Sequence, residues 1–81
     1  MDIRELLYKL AEAPPGPHAQ IDETICARLK ALADSETMQA SDMKQILDDC
    51  AFASLASDFA MVAMNIAWQQ LLQDEGTSVS Q

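Results

Sequence analysis

Between Cys50 and Gln73 the chain carries 24 residues and one formal charge, Asp58. This stretch constrains the fold more than any motif, because an ordinary surface helix hides a single apolar stripe and shows water a polar face. At roughly 100° per helical residue, Phe52, Leu55, Phe59, Val62 and Ile66 fall on one row, at spacings of 3 and 4. One position later Ala53, Ala56, Ala60, Ala63 and Ala67 repeat the rhythm, and Met61, Met64, Trp68 and Leu71 form a third row. Ser54, Asp58, Asn65 and Gln69 are left as a narrow polar strip. A helix of this kind needs cover on about two thirds of its circumference.

The whole chain has 81 residues, enough for one domain, and at that size a single core gives only modest stability. Nearly half the residues are apolar, at 49%, yet only four are aromatic, so the core is expected to be built from Ala, Leu, Ile and Met. Val, Ile and Thr are scattered and nowhere alternate with polar residues over a strand's length. The fold class predicted is all-α, a bundle of three or four helices within 1–76, with a long apolar C-terminal helix or helical hairpin, in a dimer.

The expected helices run over about 2–13, 21–33, 42–54 and 56–74. Asp2 is placed to cap the first, whose stripe is Ile3, Leu6, Leu7 and Leu10. Pro14, Pro15 and Pro17 forbid its continuation and make 14–20 a stiff linker that doubles as a hinge. In the second helix Asp22 and Glu23 lie in the first turn, Arg28 and Lys30 lie later, and Ile21, Ile25, Leu29 and Leu32 form the stripe. Ser41 is a candidate cap for the third, with Met43, Ile46, Leu47 and Cys50 on its inner face. Periodicity leaves open whether the chain from 42 onward is one helix or two bent near Ser54 to Ser57. Length favours a break, since one helix over that span would be about 48 Å long. Gly76 is expected at the C′ position of the last helix, and Thr77 to Gln81 as a disordered tail.

Charge narrows the partners. Thirteen acids against five bases give a net charge of −8, and no base follows Lys44. Nucleic-acid phosphates and anionic membranes call for basic patches, so neither is an expected ligand. A transmembrane role for 50–73 is opposed by Asp58 near its middle, by its Ser, Asn and Gln residues and by the absence of flanking bases. The amino terminus lacks a basic segment leading into an apolar run, and the two cysteines, Cys26 and Cys50, are far apart. A reduced, cytoplasmic protein with no secretory segment is the expectation.

No chemistry-bearing constellation emerges. One histidine, His18, and two separated cysteines do not supply the three or four ligands of a metal site. Asp48 and Asp49 occupy successive helical positions and diverge, so they do not share a proton. Asp34 to Glu36 lacks the later ligands and the glycine of a calcium loop. No enzyme activity, cofactor or metal is therefore expected. The tripeptide Ala33-Asp34-Ser35 resembles the Asp-Ser attachment point of acyl carrier proteins, which are acidic, helical and of similar length. That resemblance implies phosphopantetheine on Ser35. The family's Leu or Met after the serine is Glu36 in this chain.

The leading expectation is a small acidic protein-interaction module acting as a regulator, inhibitor, adaptor or chaperone, with a protein partner and a homodimeric state. Two helices with narrow stripes cover one broad side of the last element. The bulky row is assigned to the chain's own core, the alanine row to close helix packing and the Met/Trp row to the partner. Phe59, Met61, Met64, Trp68 and Leu71 are the expected contacts, with Asp48, Asp49 and Asp58 as an electrostatic rim. The alternatives are an acidic decoy occupying a basic nucleic-acid-binding surface, and the carrier reading at Ser35.

Overall fold

The computed structural model describes residues 2–12 and 20–76. Four helices account for the regular structure there: α1 (Ile3–Ala11), α2 (Glu23–Asp34), α3 (Ala40–Ala53) and α4 (Asp58–Gly76). α1 packs on α2 and α4, and α3 packs on α4 and α2, while the diagonal pairs stay apart. The helices thus follow one another around a ring that α1 and α4 close. Of the linker expected at 14–20, residues 14–19, His18 among them, lie outside the described residues, as does the tail from Thr77.

Local chemistry explains where the helices begin. The Asp2 carboxylate accepts from the Arg4 backbone N–H at 3.0 Å and opens α1. Asp22 does the same for α2, accepting from the Thr24 N–H at 2.8 Å and from its hydroxyl at 2.5 Å. Both donors stabilise the charged carboxylate and hold the Asp22 pKa below its usual value. At α3 the expectation is corrected. The helix starts at Ala40 behind Gln39, and Ser41 is an exposed residue within it, because a carboxylate from elsewhere does the capping. The Ala40 N–H donates to Glu75 Oε2, from the far end of α4, at 2.6 Å. An acid thus closes an N-terminus with four unsatisfied donors and a partial positive charge.

The helix ends are tied down as firmly. Arg4 reaches from α1 to the last turn of α2, where its guanidinium donates to the carbonyls of Ala33 and Ser35, the latter at 2.9 Å. The Tyr8 hydroxyl donates to Asp34 beside it, and this bond, with the nearby carboxylate charge, raises the tyrosine pKa. α3 and α4 are separate helices. Ser54 turns the chain in the left-handed region, at φ 55 and ψ 47, and Leu55 N–H returns to the Cys50 carbonyl at 3.1 Å, a Schellman-type closure.

The core is one cluster. Leu7, Ile25, Leu29, Met43, Cys50 and Met64 are its most deeply buried larger residues. Ile25, Leu29 and Leu32 of α2 and all four stripe residues of α3 are buried, as the spacing predicts, and Ile21, expected in the second helix, is buried just before it begins. Of the α1 stripe, Leu7 is buried, and Ile3, Leu6 and Leu10 are half-buried against it. Removing one such Leu or Ile from water contributes roughly 1.5–3 kcal/mol.

Candidate protein-binding face

α4 buries Ala60, Met64, Ala67 and Leu71, a row at spacings of 4, 3 and 4 that draws alternately on the alanine row and the Met/Trp row. The assignment of rows from sequence is therefore corrected. Met64 and Leu71, expected at a partner, lie inside the chain's own core, and of the bulky row expected in the core Leu55 packs against it while Phe52, Phe59, Val62 and Ile66 lie outside. Of the other expected contacts, Met61 and Trp68 are half-buried and Phe59 is exposed. Small alanines in the core let α4 approach its neighbours closely, and Met64 fills the space between them.

The rotation of α4 is fixed by its first turn. Residues 20–22 and 54–57 pair across the molecule through a short bridge between Ile21 and Ala56. Asp22 N–H donates to the Leu55 carbonyl at 2.8 Å, and Ser57 N–H donates to the Gln20 carbonyl at 2.7 Å. The Ser57 hydroxyl donates to Gln20 Oε1 at 2.8 Å and accepts from the Ala60 N–H at 3.1 Å, capping α4. These contacts clamp the loop to the start of α2 and so set which row of α4 turns inward. Pattern alone leaves that choice open, since all three rows are apolar.

All five exposed large hydrophobic residues among the described residues fall between 52 and 72. Phe52 is 94% exposed, Phe59 76%, Val62 60%, Ile66 49% and Leu72 43%. Phe59, Val62 and Ile66 stand on one line along the first half of α4, and Gln69 and Gln73 continue the line at the same 3–4 spacing. Asp58, Asn65 and Leu72 flank it on one side, and Ala63 and Gln70 on the other. Phe52 stands near the C-terminus of α3, at the end of the bundle where α4 begins. Val62 also forms one wall of a groove of about 350 Å³ between α3 and α4. Lys44, Leu47, Asp48 and Ala51 line it from α3, and Met61, Asn65 and Trp68 complete the α4 side. The Lys44 ammonium lies 5.5 Å from the Trp68 ring centroid, within cation–π range, and bonds Asp48 at 2.6 Å.

The expected acidic rim is divided. Asp48 is engaged by Lys44, and Asp49 by Arg28 of α2 at 2.7 Å and Gln45 at 3.3 Å. Asp58 lies exposed in the first turn of α4, beside Phe59. Sequence reasoning missed Phe52, Val62 and Ile66 as surface residues. A signal for two of them was present, because Val62 and Ile66 share their sector of α4 with Asp58, Gln69 and Gln73 and oppose Ala60, Met64 and Ala67.

Other chemistry is sparse. Among the described residues no three His, Cys, Asp or Glu side chains gather as a metal site. Burial pushes both thiols, Cys26 and Cys50, above the ordinary cysteine pKa, and both are free. Ser35 is the C-cap of α2: its carbonyl accepts from Arg4 and its hydroxyl oxygen from the Thr37 N–H at 3.2 Å. No helix among the described residues is long and apolar enough to cross a membrane. Comparison with protein-family models, with curated proteins and with solved structures gave no match.

Proposed function

We propose that this chain is a protein-interaction module, a regulator or adaptor that works by presenting the outer line of α4 to a protein partner. The observation that supports this reading is the exposure of Phe59, Val62 and Ile66 in one line, with a fully exposed Phe52 at the same end of the bundle, while among the described residues Leu72 is the one other large apolar residue left exposed. Single exposed apolar residues are ordinary on a protein surface, whereas a contiguous row marks a contact surface. The contact residues of this reading are Phe52, Phe59, Val62 and Ile66, with Met61 and Trp68 at the border of the adjoining groove and Asp58 as the exposed acid at the rim. Burial of Met64 and Leu71 removes them from the contact set. A partner of this face is held by apolar contact, so added salt leaves its affinity unchanged or strengthens it, unlike the binding of an acidic decoy to a basic surface.

A photo-crosslinking residue at position 59 or 62, introduced in the cell of origin, tests the proposal. Protein adducts are expected at these two positions and absent at the exposed control positions Glu23 and Lys30. Equal yields at all four positions would overturn it.

A further inference from the structure

We infer that the occupant of this face is a second copy of the same chain, docked antiparallel, α4 on α4, about a twofold axis beside Val62. This rests on the reading of the α4 line as a contact surface and adds to it the partner and the geometry. Three features carry it. The first is self-complementarity: Phe59 stands three residues before Val62 and Ile66 four after it, so an antiparallel crossing at Val62 seats the ring of Phe59 on Ile66 of the other copy, twice. The second is charge. The chain carries −8, which opposes self-association, yet the flanks of the line hold one charge, Asp58. An antiparallel crossing separates the two Asp58 residues by eight helical positions, about 12 Å along the axis, or roughly a Debye length at moderate ionic strength. A parallel pair instead sets Asp58 against Asp58 and stacks Gln69 and Gln73 on their own copies in the seam. The third is area. The exposed parts of the apolar row amount to on the order of 500 Å² per chain, taking 150–250 Å² for an aromatic side chain. Two copies together reach about 1,000 Å², the lower bound of a specific interface.

Sedimentation equilibrium on the full chain, from about 1 to 200 μM, is the first measurement. Mass is expected to rise toward twice the 8.9 kDa of the chain. Phe59→Glu is expected to weaken the association by about 100-fold or more while the helical circular dichroism stays unchanged. Oxidation of Val62→Cys gives the arrangement: a disulfide-linked dimer is expected from this variant, and none from Gln73→Cys or from the native chain with Cys26 and Cys50 alone. Linkage through both Val62→Cys and Gln73→Cys would overturn the antiparallel geometry. A chain that stays monomeric to 200 μM would overturn the second copy as occupant. The two proposals fail separately, since adducts of Phe59 to a different protein would leave the binding face standing while removing the self-pairing.

Discussion

The two halves of this molecule handle apolar surface in opposite ways. In the first, α1 and α2 carry narrow stripes that are matched by neighbours, and polar clamps fasten their ends: Asp2 and Asp22 at the starts, Arg4 and Tyr8 on the closing turn of α2. In the second, the α3–α4 hairpin is pinned at its loop, yet it leaves Phe52, Phe59, Val62 and Ile66 in water. The first half is finished as a monomer. The second leaves a row of large apolar side chains facing water.

Substitutions two or three positions apart on α4 give the sharpest contrast. Met64→Ala, like Leu29→Ala in α2, opens a cavity at a fully buried site and is expected to cost about 2–5 kcal/mol in urea unfolding. Arg4→Ala comes next. It leaves the Ala33 and Ser35 carbonyls without their guanidinium donor, and a loss of about 1–2 kcal/mol is expected, read as a lower midpoint with unchanged slope. Ser54→Gly relieves a left-handed residue at the turn and is expected to add roughly 0.5–1 kcal/mol. Val62→Ala, measured at concentrations where the chain is monomeric, is expected to stay within about 0.5 kcal/mol of the parent. If Val62→Ala costs as much as Met64→Ala, the contrast between the halves fails.

Acid titration tests the cap at the start of α2. The Asp22 pKa is lowered in the folded chain by the Thr24 donors, so its contribution is complete above the unfolded value of 3.8 and is lost as pH falls through the folded one. Stability is expected to decline below about pH 4, and Asp22→Asn to flatten that decline, as followed by thermal melts across pH. Tyr8 acts at the other extreme. Its pKa is raised, so its contribution is present below the unfolded value of 10.0 and lost as pH rises through the folded one.

Much of the bundle was legible from spacing. The stripes Ile25, Leu29, Leu32 and Met43, Ile46, Leu47, Cys50 reach the core because each helix has only one apolar face, and a single face leaves no choice of orientation, whereas Ile21 is buried through its bridge to Ala56 before α2 begins. Asp2 was readable as a cap for the same local reason. The start of α3 was not, because its capping carboxylate, Glu75, is 35 positions away in the chain. Nor was the orientation of α4. Its three apolar rows are nearly equivalent to a reader of periodicity, and contacts between 20–22 and 54–57 decide among them. The same degeneracy hid which residues of α4 stay in water: Met64 and Leu71, expected on the outside, are buried, and Val62 and Ile66, expected inside, are exposed.

The clamp between Gln20, Asp22, Leu55 and Ser57 therefore acts as an index pin on a wheel with several usable settings. Turning α4 by one residue position would bring Phe59, Ala63 and Ile66 to the core in place of Ala60, Met64 and Ala67, and would bury Gln70 in place of Leu71. Two of the pin's bonds join backbone to backbone and do not depend on the side chains at 20 and 57, so the surface α4 shows to water is selected by a loop that contributes none of it.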